Sequence, residues 1–150
     1  MKLRELFTAD VVNLSLQSGT KDDILKELVT LLHLDPKSER ILFKTLKRRE
    51  NLGSTGVGKG IAIPHCRSLM VNRIRLAYGR NPDGIEFKAI DSAPVYNFFL
   101  IVAPPLEVSN QYLPMLSKIA QFGNDPSVPP SLSALATTDE FLNLLEQKAI

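Results

Sequence analysis

Only one cysteine, Cys66, and two histidines, His33 and His65, occur in a chain of 150 residues. A single thiol excludes an intramolecular disulfide and suits a reducing cytosol. Two histidines and one cysteine offer no convincing ligand set for a metal. No apolar run approaches the roughly 18 residues of a membrane-spanning helix. The opening residues, Met1-Lys2-Leu3-Arg4-Glu5, lack the apolar core of a secretory signal. A net charge of +2 is too small to argue for nucleic acid, although Lys44, Lys47, Arg48 and Arg49 cluster. Internal repeats and low-complexity segments are absent too. What remains is 44% hydrophobic and 23% charged, an ordinary soluble composition. The length is that of one domain, 1–150, large enough to bury a core.

What the chain does have is a concentrated stretch at Arg49–Arg67, R-E-N-L-G-S-T-G-V-G-K-G-I-A-I-P-H-C-R. Gly53, Gly56, Gly58 and Gly60 precede the apolar run Ile61-Ala62-Ile63, which ends at Pro64-His65. Glycine permits close backbone approach to a ligand, and successive N–H groups in such a loop can form an anion-binding nest. The pattern predicts a histidine delivered at the end of a buried strand, beside that loop. Neutral imidazole is a natural nucleophile near neutral pH. The plainer reading is a glycine-rich turn in which Ser54 and Thr55 act as local caps. Nucleotide-binding readings fail on spacing. A phosphate-binding P-loop needs Ser or Thr after Gly58-Lys59, where Gly60 stands, and a dinucleotide fingerprint from Gly56 needs Gly or Ala where Ile61 stands.

The ordered string G-S-T-G-x-G-x-G-I-A-I-P-H at 53–65 resembles the active-site signature of a known family. These are the enzyme IIA domains of the fructose/mannitol class, including the nitrogen-regulatory branch, of the bacterial phosphoenolpyruvate-dependent phosphotransferase system. The resemblance covers essentially the whole chain. It implies that His65 accepts a phosphoryl group from a histidine phosphocarrier protein. It also implies that Arg49 offsets phosphoryl charge through its guanidinium fork, while Ser54, Thr55, Gly56 and Gly58 offer N–H groups and hydroxyls. No metal or other cofactor is required. Two positions depart from the pattern. Tyr112, in Tyr112-Leu113-Pro114-Met115-Leu116, stands where family members often carry a second histidine. Its hydroxyl either orients the imidazole or touches the phosphoryl group, or the ring merely packs. Cys66 stands where glycine is common, and reads as a small buried residue rather than a reactive thiol.

The remaining elements follow in order. Val11, Val12, Leu14 and Leu16 suggest a brief strand within the first 19 residues. Thr20 caps a helix whose Ile24, Leu25, Leu28, Leu31 and Leu32 form one stripe, with His33 at its C-terminal end. Asp35-Pro36 opens a second helix carrying Ile41, Leu42 and Leu46 inward; its basic end reads as a wet face, apart from Arg49. Ile61–Pro64 is a buried strand, and Ile74, Leu76 and Tyr78 alternate as a half-buried one. Asn81-Pro82-Asp83-Gly84 is a turn. Val95–Val102 is the most apolar run and the expected central strand. Ser109 or Asn110 caps a helix with Leu113, Leu116, Ile119 and Ala120 inward, and Gly123 stops it. Residues 124–137 form an irregular link with a short helical turn. Thr138 then caps a last helix bearing Phe141, Leu142, Leu144 and Leu145. Such a mixture implies an α/β sandwich, and the resemblance implies a mixed parallel/antiparallel sheet flanked by helices in a single domain.

Two functions stay open. One is a phosphocarrier component, passing phosphate from His65 to a cysteine of an enzyme IIB partner. The other is a regulatory module whose phosphorylation state selects its target protein, without onward transfer. Both imply a cytoplasmic protein with no nucleic-acid partner and no membrane span.

Overall fold

The computed structural model describes residues 2–150. Its sheet is built on β6, Val95–Ala103, in which every residue except Tyr96 is buried. Strand β5, Arg75–Ile85, runs antiparallel along one side of β6, pairing Leu76 with Ile101 and Tyr78 with Phe99. The other side of β6 takes two short parallel segments, β3 at Ile61–Ala62 and β4 at His65–Arg67. The edges are β1, Val12–Asn13, parallel to β5, and β2, Gly56–Gly58, antiparallel to β3. The order is therefore β1-β5-β6-β3-β2, with β4 also paired to β6. The sheet is mixed, as expected.

Helices cover both faces, which is why β6 is continuously apolar rather than alternating. On one face lie α2, Lys21–Thr30, and α3, Pro36–Leu52, which pack together. Thr20 accepts from Asp23 N–H at 3.2 Å and Asp35 from Ser38 N–H at 2.9 Å, so both caps form where sequence placed them. The other face carries α4, Tyr112–Asn124, and α6, Thr138–Gln147. There Phe141 stacks on Tyr78 with centroids 4.2 Å apart, and Phe122 meets Phe99 edge-on at 6.0 Å. A short helix α1, Leu3–Leu6, rests against α6.

Several expectations shift. Asn81–Gly84 does not reverse the chain: β5 continues through it as an irregularity between Arg80 and Ile85. The turn chemistry is spent locally, with Asp83 N–H donating to Asn81 Oδ1 at 3.0 Å. The connection to β6 lies instead at residues 86–94. In α4 the inward face is Tyr112, Met115, Ile119 and Phe122, leaving Leu113 66% exposed. Neither Ser109 nor Asn110 caps that helix; the Glu107 carboxylate receives Gln111 N–H at 2.8 Å. Gly123 does not stop the helix either. It packs close to β3, where a Cβ would stand 2.9 Å from Ile61 Cδ1. Ile41 is on the outer side of α3 rather than inward. The last cap is Thr137, in a reciprocal box with Glu140, not Thr138. The early strand is shorter than read, because Ala9–Val11 is a 3-10 turn. Within 124–137 a helix α5 forms at Val128–Ser133, with its prolines at the start, where proline is tolerated.

Candidate functional site

The sequence around His65 breaks a strand at one place. Pro64 has no N–H to give a ladder, and β3 ends at Ala62. Ile63 N–H turns back to Thr55 O at 3.0 Å, while Pro64 O accepts from Ile101 N–H at 3.0 Å. The Ile63 carbonyl is thereby free to meet the His65 ring, and His65 Nδ1 lies 2.7 Å from it. His65 thus opens β4 instead of ending the buried strand. A carbonyl only accepts, so Nδ1 holds the proton and Nε2 keeps its lone pair. Burial pushes the imidazole below its usual value of 6.5, Arg49 pushes the same way, and the Ile63 hydrogen bond and Glu50 oppose them. The ring is neutral near pH 7, oriented, and partly open to solvent. Such a ring can act as a nucleophile.

Helix α4 brings Tyr112 to the same place, its ring centroid 6.3 Å from that of His65. Burial pushes the phenol up to about 12, against the opposing pull of Arg67 and Arg49. Tyr112 is therefore a neutral hydroxyl beside the imidazole and supplies no charge. Arg67, unremarked in the sequence, lies with its guanidinium carbon 4.5 Å from the centre of the Tyr112 ring. It shares a face with His65, two residues away along β4. Cys66 points the other way into the core, and burial pushes its thiol up to about 12.

Arg49 sits in the last turn of α3 and donates to Gly53 O at 2.8 Å. This closes the helix end and leaves further guanidinium donors for an anion. The other loop residues are turned inward. Ser54 Oγ donates to Phe87 O at 2.7 Å and accepts from Gly56 N–H at 3.0 Å. Thr55 donates both its N–H and its hydroxyl to the Glu50 carboxylate. Gly56 and Gly58 belong to β2, in a hairpin whose turn residues Lys59 and Gly60 have φ of 59° and 76°. That is the double positive φ of a tight hairpin turn. Gly58 pairs with Ile61, and Ile61 and His65 lie four residues apart on β6. Gly58 is thus displaced by about 13 Å along the strand direction from His65. The fold therefore gathers His65, Arg49 and Tyr112, connects Thr55 to them through Ile63, and sets Gly58 apart. No group of three or more His, Cys, Asp or Glu able to hold a metal occurs among the described residues, and no helix there is long and apolar enough to cross a membrane.

A family model described as "Phosphoenolpyruvate-dependent sugar phosphotransferase system, EIIA 2" matches residues 5–148. The chain belongs to this EIIA family. A fructose-specific EIIABC component from Bacillus subtilis is 30% identical over 98% of the chain, which spans only 23% of that relative. The crystal structure of the nitrogen regulatory protein IIA-Ntr from Neisseria meningitidis superposes with a TM-score of 0.87 at 30% identity, covering 95% of this chain and 98% of that one. The Escherichia coli mannitol enzyme IIA, solved in complex with phosphorylated enzyme IIB, shares the fold at a TM-score of 0.76 and 20% identity, covering 94% and 97%. The EIIA family is one to which the ordered 53–65 string already pointed.

Proposed function

We propose that His65 is the phosphoacceptor of this EIIA protein, the whole of 1–150 serving as one such domain. The observation that carries this reading is the His65 Nδ1–Ile63 O hydrogen bond of 2.7 Å. It presents Nε2 as the attacking atom and holds the ring against rotation. The donor is a histidine phosphocarrier protein. Nε2 forms a bond to phosphorus as the donor's own N–P bond breaks, and the three equatorial oxygens carry their charge across. Arg49 offsets that charge and Tyr112 offers its hydroxyl, a reading supported by the Arg49 charge felt at the imidazole and by the adjacent Tyr112 ring. Thr55 and Ser54 serve by shaping the loop, together with Gly56 and Gly58 of the hairpin. The reaction needs no metal and belongs in the cytoplasm.

In the first reading the onward acceptor is a cysteine of an enzyme IIB partner; the mannitol enzyme IIA, which shares the fold, forms a complex with phosphorylated enzyme IIB. The regulatory reading, in which phospho-His65 alters contact with a target protein, is favoured by the nitrogen regulatory neighbour, whose own chain is covered over 98% of its length. Incubation with phosphoenolpyruvate and the general phosphotransferase proteins should add one phosphoryl group by intact mass, and His65→Ala should abolish it with unchanged circular dichroism. A labelled His65→Ala variant would overturn the assignment. Adding a candidate IIB separates the two readings: phosphate moves to it in the first and stays on His65 in the second.

A further inference from the structure

Behind the site lies a buried charge. The Glu50 side chain, only 3% exposed, stands 2.9 Å from Lys21 Nζ at the start of α2. A carboxylate this deep is tolerable only when paired and hydrogen-bonded. Here it also receives Thr55 N–H at 3.2 Å and the Thr55 hydroxyl. The Lys21 ammonium is held in turn. It donates to Phe87 O at 3.3 Å and lies 4.3 Å from the centre of the Phe87 ring. Phe87 O also accepts the Ser54 hydroxyl at 2.7 Å. The Glu50 carboxylate thus holds Thr55 directly, while Lys21 shares the Phe87 carbonyl with Ser54.

From Thr55 the chain of bonds continues to the nucleophile. Thr55 O accepts Ile63 N–H at 3.0 Å, and Ile63 O receives His65 Nδ1–H at 2.7 Å. The coupling is positional: Thr55 and Ile63 are each held through one backbone or side-chain group and present another to the next partner. A displaced Thr55 releases Ile63, and a displaced Ile63 carbonyl no longer selects which ring nitrogen holds the proton.

We propose that Glu50, held by Lys21, is a positioning residue that fixes the tautomer and orientation of His65 through the Thr55 and Ile63 peptides. The role rests on His65 being the phosphoacceptor, but its spectroscopic consequence does not. Position 50 is adjacent in sequence to Arg49 yet turns inward, one step around the helix, while Arg49 faces the site. The two neighbours divide the work: Arg49 is available to the anion and Glu50 to the frame.

The test uses the full chain with nitrogen-15-labelled histidine. In wild type, His65 shows a single Nδ1–H tautomer. Glu50→Gln should let the Nε2–H tautomer appear, lower the imidazole pKa further by removing a nearby negative charge, and slow phosphorylation by about 10- to 100-fold. Lys21→Met should act in the same direction on tautomer and rate. Lys47→Met, which breaks only the exposed 2.7 Å pair with Asp22 between the same two helices, should leave both readouts at wild-type values. A purely structural role for Glu50 would lower the melting temperature while leaving tautomer and rate unchanged in the folded protein, and that result would overturn the proposal. If Glu50→Gln does not fold, Thr55→Val removes the hydroxyl arm alone and Thr55→Ser should restore what it loses. Identical tautomer populations in Thr55→Val and wild type would also overturn it. Absence of phosphorylation in wild type would defeat the phosphoacceptor reading instead, and the tautomer comparison would still decide the role of Glu50.

Discussion

His65 Nδ1 and the carbonyl oxygen of Ile63 lie 2.7 Å apart, with Pro64 alone between the two residues. The proline both ends the β3 ladder and stiffens the link, so the ring's proton location follows from a local backbone feature. Burial then holds the ring neutral. This pair sets the first expectation.

Phosphorylation of His65 should remain at its plateau as pH falls below 6.5, and decline only at the lower folded-state value. The stability contribution has the same sign. The native state disfavours the imidazolium, so stability is full above 6.5 and is lost as pH drops from there towards the folded pKa. NMR titration of the imidazole and urea unfolding across this range measure both. A folded-state pKa above 6.5 would contradict the burial argument.

Arg49→Lys should slow phosphorylation by up to about 100-fold while costing stability only about 1 kcal/mol. Lysine keeps the charge but loses the fork that serves Gly53 O and the anion together. Rapid-quench kinetics and thermal melts separate the two effects. A protein that melts far earlier but is phosphorylated normally when cold would make Arg49 structural.

Tyr112→Phe should fold normally and be phosphorylated more slowly, because the ring stays beside His65 and under Arg67 while the hydroxyl is lost. Tyr112→His should raise onward transfer to a IIB partner, since a histidine can become cationic and the phenol, pushed up to about 12, stays neutral. Equal rates in all three proteins would reduce Tyr112 to packing.

Cys66 should resist thiol reagents in the native protein at pH 8, since burial holds the thiol near 12 and away from solvent. One equivalent should react once denaturant is added. Fast native labelling would show that the β4 edge opens readily.

Gly56→Ala should destabilise the fold by about 1–3 kcal/mol. A Cβ there would meet Ala89 Cβ at 2.7 Å and Ala89 Cα at 2.9 Å, and backbone cannot move aside cheaply. Gly123→Ala should cost less, because the atom it meets is the tip of Ile61. Chemical denaturation of the two variants checks the ranking.

Much of this protein is written locally. Thr20 and Asp35 mark helix starts because a side-chain oxygen and an N–H three residues on suffice to form a cap. Val95–Val102 announces a central strand because burial on both faces demands a continuous apolar run. The ordered glycine–proline–histidine string pointed to the EIIA family for a similar reason: its spacing is a backbone requirement carried by adjacent residues. Other assignments depended on partners far away in the chain. Leu113 and Tyr112 are both plausible inward residues of α4, and only the position of β4 decides that Tyr112 turns in. Ser54 and Thr55 carry hydroxyls suited to an anion, but Phe87, 33 positions on from Ser54, and the buried Glu50 carboxylate claim them. Glu50 itself reads in sequence as one more charged residue at a basic helix end. Its burial arises because α2 delivers Lys21 to it, and a charge can leave water only when the tertiary fold brings its counter-charge and its hydrogen bonds to the same point.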